Sequence, residues 1–246
     1  MIPSIAIIVP FRLQKGQNRQ NELDTFVPFM IKYLSTLKDR GHIKKFHIYV
    51  IKQTGTYEDK NIKFNRGLLL NIGTQLVHET YDVFIFHDVD LLPCNSLINY
   101  YAVEPSVPIH IAGCWDRYNR NRNYFGGIVS FCRRDFNVIN GFPNDFWGWG
   151  GEDDALLHRC EVNDITPYKV DKGYISDIEN DTGYKLGEKL DILRRNKEWK
   201  CLDKWEQLYR DRSSWKKNGL RQVYDRYKVI NSEKLDDLTI IEVDIH

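Results

Sequence analysis

The sequence predicts an α/β fold, with one mostly parallel, twisted sheet flanked by helices. Three observations lead there. Short runs of β-branched and aromatic residues lack polar alternation, as strands covered on both faces do. Segments between them carry apolar residues at helical spacing, and the two patterns alternate along much of the chain.

In chain order, residues 5–9 (IAIIV) read as a buried strand, too short to span a bilayer and without signal-peptide flanks. Residues 23–37 place Phe26, Phe29, Met30, Tyr33, Leu34 and Leu37 on a helix, with Pro28 tolerable if it falls in the first turn, where a missing N–H is harmless. A second strand is predicted at 46–51 (FHIYVI), then a helix at 65–77 with Leu68, Leu69, Ile72, Leu76 and Val77 on one face. Strands follow at 83–86 (VFIF), 109–112 and 127–131 (GIVSF). Beyond about residue 163 the character changes. Residues 163–181 read as loop, 188–217 as a highly charged helix, and 238–245 (LTIIEVDI) as a final strand.

The chain of 246 residues is long enough for a proper core, and 35 Lys+Arg against 34 Asp+Glu leave a net charge of +1. That balance argues against a nucleic-acid or membrane-surface partner, though not against a local charged pocket. The five cysteines, Cys94, Cys114, Cys132, Cys160 and Cys201, are an odd number without a C-x-x-C pair. They suggest reduced thiols and a soluble, cytoplasmic protein rather than a zinc site or disulfide framework.

Two acidic clusters carry the chemistry. In FHDVDLLP an apolar strand runs into Asp88 and Asp90, and ligands of open α/β sheets bind beyond the carboxyl ends of strands. Two carboxylates two residues apart can share one hard cation, although a cap or a solvated turn gives the same spacing. His87 beside them could ligate, but a packed histidine is the commoner case. The second cluster is Glu152, Asp153 and Asp154, in FWGWGGEDD, which its glycines make read as a loop, and where acids in sequence repel unless they meet water, cations or protons in transit. Arg12, in VPFR at a strand end, offers a fork for phosphate, and Phe64-Asn65-Arg66 opens a helix whose N-terminus favours anions. A capped, solvated helix start explains the latter equally well.

The ordered series VPFR, FNRGLLLNIG, FHDVDLLP, YFGGIVSF and NGFPNDFWGWGGEDD resembles the β-1,4-galactosyltransferase family, inverting and metal-dependent sugar-nucleotide transferases of GT-A type. The likeness covers about residues 5–165. It implies donor contacts at Pro10, Phe11, Arg12, Arg19, Phe64, Arg66, Asp88, Val89 and Gly127. Trp149 matches a mobile tryptophan that closes over the donor, and Asp90 a manganese ligand. Asp153 matches the catalytic base, with Glu152 and Asp154 as acceptor contacts. Tyr124 matches a position where an aromatic accompanies UDP-galactose. Trp205 corresponds loosely to an aromatic set against the acceptor. The implied reaction moves galactose from UDP-galactose to a sugar hydroxyl of a glycan or glycoconjugate, giving a β-linkage, with β-1,4 the expectation.

The family takes further metal ligands, usually including His, after the E-D-D block. Here GYISDIEND has no His, which makes Asp177 the nearest candidate, with Glu179 and Asp181 behind it. An all-oxygen set admits magnesium beside manganese. The family's membrane anchor and positioned cysteines are absent, which suggests a bacterial or viral relative or a chain trimmed of a Golgi anchor. Tyr118, Arg120 and Arg122 could shape an acceptor groove, although a solvated loop is the plainer reading. One domain over 1–246 is expected: a nucleotide-binding half (1–100), an acceptor and catalytic half (101–187), and a helical, mobile tail with a last strand (188–246). The rivals are UDP-N-acetylgalactosamine or UDP-glucose as donor, a sugar-nucleotide hydrolase, and a non-catalytic sugar-binding module.

Overall fold

The computed structural model describes residues 2–14, 17–55, 63–77, 80–115, 123–179, 191 and 195–246. Asp181, Tyr118, Arg120 and Arg122 lie outside them. At the centre is β1 (Ser4–Phe11), buried at every position. It pairs in parallel with β2 (Lys45–Gln53) and β3 (Val83–His87). Ile5, Ile7 and Val9 face one apolar cluster with α1 (Arg19–Asp39), while Ala6 and Ile8 face another with α2 (Arg66–Leu76). Both faces of the strand are therefore covered, which is why its sequence shows no polar alternation.

The remaining elements are β4 (Leu91–Pro93), β5 (Ile109–His110), β6 (Ile128–Cys132), α3 (Arg133–Val138), α4 (Glu152–Glu161), β7 (Tyr168–Lys169), β8 (Ile175–Asp177), α5 (Lys204–Ser214), β9 (Tyr227–Lys234) and β10 (Leu238–Ile245). The main sheet runs β7-β5-β6-β3-β1-β2-β10-β9. Its β1–β2, β1–β3, β2–β10 and β5–β7 pairs are parallel; β3–β6, β5–β6 and β9–β10 are antiparallel. The fold is a mostly parallel mixed α/β sheet, as the alternation of patterns implies.

Several elements depart from expectation. Helix α1 starts at Arg19, so the condition on Pro28 is not met and the proline lies inside the helix. Burial of Phe26 and Met30 against the sheet holds the helix together across the lost hydrogen bond. The strand expected at 109–112 stops at His110 and passes into a 3-10 turn. The expected loop 163–181 holds β7 and β8, and within 188–217 the described α-helix of a full turn or more is α5. The strand β9 is mostly exposed and polar (YKVINSEK), so its pairing with β10, not its composition, makes it a strand.

The chain leaves β1 on one side for β2 and returns on the other side for β3. This is a switch point, and the crevice it opens lies beyond the carboxyl ends of β1 and β3, where Phe11-Arg12 and Asp88 sit. Buried amides fix the opposite wall. Asn65 caps α2, its Oδ1 accepting from Leu68 N (3.0 Å), and its Nδ2 donates to the Asn144 carbonyl (2.7 Å). Asn71 Nδ2 donates to the Phe142 carbonyl (2.7 Å) and to Asn144 Oδ1 (2.8 Å). The start of α2 is thereby locked to the stretch leading into Trp149.

Candidate active site

Beyond the switch point lies a cleft with two halves. The first is lined by Pro10, Phe11, Arg12, Gln14, Gln17, Arg19, Phe64, Arg66, Asp88, Val89, Asp90, Gly148, Trp149, Glu152, Glu179 and Trp199. The second is lined by Arg66, Asp88, Tyr124, Gly126, Gly127, Trp149, Gly150, Glu152, Asp153, Asp154 and Lys204. Arg66, Asp88, Trp149 and Glu152 belong to both, so the two acidic clusters open onto one continuous space.

In the first half, the short ladder of β4 with β8 sets Asp177 opposite Leu91, and Ile178 N donates to the Asp90 carbonyl (2.9 Å). This brings Asp90, Asp177 and Glu179 together, with a carboxylate oxygen of each within 4.8 Å of the others. An all-oxygen set of three carboxylates fits a hard divalent cation such as manganese or magnesium. Arg19 stands beside it, 3.2 Å from Asp90, 3.6 Å from Glu179 and 2.7 Å from Glu22. Burial works against the charge of Arg19, but these acids outweigh it and hold the guanidinium protonated. The buried Glu22 is pushed up to about 7, by burial above all.

His87 is not part of this set. It is fully buried, its Nδ1–H donating to the Asp88 carbonyl (2.8 Å) and its Nε2 accepting from the Tyr101 hydroxyl (2.9 Å). Burial holds it neutral, near 4.

Arg66 joins the halves. Its Nε donates to Asp88 Oδ1 (2.8 Å), and its Nη1 lies 3.6 Å from Glu152 Oε1. Both terminal nitrogens of Arg66 and Oε2 of Glu152 are buried without a hydrogen-bond partner in the protein. Buried polar atoms in that state are costly, and here they face a cleft that a polar ligand can fill. Burial pushes Glu152 up to about 8, with Asp153 adding to the effect. Asp88 is also raised by burial, with Arg66 opposing.

The acidic run proves to be the first turn of α4 rather than a loop. Gly151 precedes it at φ 108°, a left-handed conformation that suits glycine and lets the chain turn sharply out of the Trp149 strip. Helix N-termini stabilise nearby carboxylates, which explains why three can stand in sequence. Asp153 is nevertheless raised, by burial first and by Asp154 second, while Arg66 and Lys204 oppose. A side chain at Gly126 would come within 2.8 Å of both Asp153 Oδ2 and the Tyr124 ring, so the Gly-Gly pair makes room for Asp153 and Tyr124.

Among the described residues, the structure brings the sequence-predicted site residues into this cleft or against the carboxylate set, apart from Trp205. That residue is 78% exposed and lines neither half. Its neighbour Lys204 turns inward instead, because successive helical side chains point about 100° apart. Trp149, matched above to a mobile tryptophan, donates its backbone N–H to the Trp199 carbonyl (2.6 Å), and its own carbonyl accepts from Cys201 N (3.1 Å). Gln14, Gln17, Trp199 and Lys204 line the cleft without having been anticipated, and Glu22 stands beside Arg19. The first four had no legible signal; Glu22 carried only that of an acid three residues after an arginine at a helix start.

Among the described residues, no helix is long and apolar enough to cross a membrane. The profile described as "N-terminal region of glycosyl transferase group 7" matches residues 2–104, and that described as "N-terminal domain of galactosyltransferase" matches 108–181. The chain is 36% identical over 211 residues to β-1,4-galactosyltransferase 6 of Rattus norvegicus, covering 81% of this chain and 50% of that one. It is 39% identical over 160 residues to β-1,4-galactosyltransferase 1 of Homo sapiens, covering 63% and 36%. It thus spans half or less of the curated relatives it matches. These relatives are animal proteins and lend no support to a bacterial or viral source. Among solved structures, the Drosophila β-1,4-galactosyltransferase 7 catalytic domain with xylobiose matches at a TM-score of 0.75 and 30% identity, covering all of this chain and 95% of that one. A variant of the same enzyme, solved with manganese, UDP-Gal and xylobiose, matches at 0.75 and 29%, with the same coverage. The fold, the two-part cleft and these matches together place the chain in the β-1,4-galactosyltransferase family.

Proposed function

We propose that this chain is an inverting β-galactosyltransferase that moves galactose from UDP-galactose to a sugar hydroxyl, forming a β-1,4 linkage in a single displacement. The observation that carries this reading is the shared cleft. A cation-ready carboxylate set and a carboxylate base stand at its two ends, with Arg66 between them.

In this reading Pro10, Phe11, Phe64, Val89 and Trp149 enclose the nucleotide and keep water from it. Asp88 steadies Arg66, which with Arg12 and Arg19 neutralises the departing diphosphate. Asp90, Asp177 and Glu179 would hold manganese, or magnesium, which supplies further charge neutralisation for the leaving group. Tyr124 and Gly127 border the galactose. Glu152 and Asp154 hold the acceptor, and Asp153 takes the proton of its attacking hydroxyl. The attack comes from the face opposite the leaving diphosphate, so an α-linked donor gives a β-linked product.

The Drosophila complexes with xylobiose make a xylose-ended glycan the first acceptor to try, followed by N-acetylglucosamine and glucose. The test is UDP release from UDP-galactose with each acceptor and manganese, with chelator as control, and a mass measurement of the product. Transfer of one hexose, abolished by chelation, is expected. UDP released at the same rate without acceptor would make the chain a sugar-nucleotide hydrolase, and tight binding without turnover a sugar-binding module. Competition with UDP-N-acetylgalactosamine and UDP-glucose decides the donor. One continuous sheet from β7 to β9 supports treating 1–246 as one catalytic domain. Five unpaired thiols support a reducing, cytoplasmic setting.

A further inference from the structure

Three contacts fasten residues 199–204 to the strip 149–154. Two are the backbone hydrogen bonds of Trp149 with Trp199 and Cys201. The third is the Lys204 ammonium, 2.5 Å from Asp154 Oδ2. The Lys204 stem crosses the glycines on its way: a side chain built on Gly151 would come within 3.2 Å of Lys204 Cγ, and one on Gly150 within 3.8 Å of Cδ. Bulk at either glycine would crowd this path.

The groups facing Asp153 come from five places. Its own helix gives Glu152 and Asp154, and α2 gives Arg66. The turn after β3 gives Asp88, the segment before β6 gives Tyr124, and α5 gives Lys204. Three carboxylates in one turn repel one another. Arg66 is engaged by Asp88 at 2.8 Å and leans toward Glu152 at 3.6 Å, so its charge is shared between those acids and Asp153. Among the described residues, the cation in contact with Asp154 is Lys204.

We propose that Lys204 is a positioning residue for the transfer: its ammonium neutralises Asp154 and so keeps Asp153 charged for the acceptor's proton, while its stem holds the glycine strip to α5. The proposal rests on reading Asp153 as the base. Its electrostatic sign agrees with the surroundings of Asp153, where burial and Asp154 favour the proton and Arg66 and Lys204 disfavour it. Lys204 is itself held protonated: burial opposes its charge, but Asp154, Asp153 and Glu152 prevail.

The test compares Lys204→Met and Lys204→Arg with the wild type in the pH dependence of kcat at saturating UDP-galactose and acceptor. Removing a charge two side chains away should move the acid limb of Lys204→Met upward by about one pH unit. Rates then fall about tenfold below the limb and recover above it, with the donor KM unchanged, and Lys204→Arg restores the profile. An unmoved limb, or a loss equal at every pH, would mean that Lys204 is only a strap and overturns the proposal. Should Lys204→Met not fold, Asp154→Asn gives the converse measurement: its limb moves downward if the balance of charge governs Asp153, and stays in place if it does not. A wild type that never releases UDP with acceptor present refutes the transferase reading itself. An active wild type with an unmoved limb refutes only the role of Lys204.

Discussion

The two halves of the cleft are built on different foundations. The donor half stands on the ends of buried strands and on the capped start of α2, with its cations and acids already interlocked: Arg19 with Glu22 and Asp90, Arg66 with Asp88. The acceptor half stands on a glycine strip and the first turn of α4, where three acids meet fewer cations. A departing diphosphate needs fixed positive charge around it, so rigid strand ends suit that task. A base needs a carboxylate that is poised but not buried beyond ionisation, and a helix N-terminus at the mouth of a cleft supplies one.

The largest expected effect breaks the acceptor half alone. Asp153→Asn should lower turnover by roughly 10²–10⁴-fold, the usual span for loss of a general base. UDP-galactose binding, measured by calorimetry, should stay within about twofold; a variant with full turnover would remove Asp153 from the mechanism. Because Arg66 serves both halves, Arg66→Ala should weaken donor binding and lower kcat together. About 10–100-fold in kcat/KM is expected, the worth of one or two charge-assisted hydrogen bonds.

A smaller effect isolates the donor half. Asp177→Asn should weaken manganese binding on the order of tenfold, since one of three charged oxygens becomes neutral. The change can be read from fluorescence of Trp149 and Trp199, which line this half, without any turnover.

Proton linkage acts where the two halves meet. Glu152 is raised from 4.5 to about 8, so between those values the folded chain binds more protons than the unfolded one. Its contribution to stability is therefore full below about pH 4.5 and is lost as pH rises toward 8. Urea melts of the ligand-free chain should show Glu152→Gln losing less stability than the wild type between those pH values. A parallel decline in both would contradict the burial-driven shift. Smallest of all, Trp205→Ala should change acceptor KM less than about threefold, since its ring lies outside the cleft lining and exposed contacts contribute little.

What could be seen in the sequence follows the same division. Asp88, Asp90, Arg12 and the FNR segment were visible because strand ends and helix starts leave local signatures, and the resemblance supplied their roles. The E-D-D run was visible as chemistry but not as a helix: Gly150 and Gly151 suggested a loop, whereas Gly151 in fact sets the turn that begins α4. Asp177 could be named only as the nearest position in a segment to which the resemblance pointed, because its neighbour Asp90 reaches it through a β4–β8 ladder of three residues each. Trp199 and Lys204 were invisible because their meaning lies in tertiary contact with Trp149 and Asp154. A charged helix gives no hint of which lysine turns inward, and the neighbouring Trp205 drew attention for its ring alone.

The most direct test of one cleft acting by one displacement is the anomeric configuration of the product. Proton NMR of the disaccharide formed from UDP-galactose should show a β-configured galactose, with the rate lost in Asp153→Asn. An α-configured product, or a β-product formed at the wild-type rate without that carboxylate, would contradict the account.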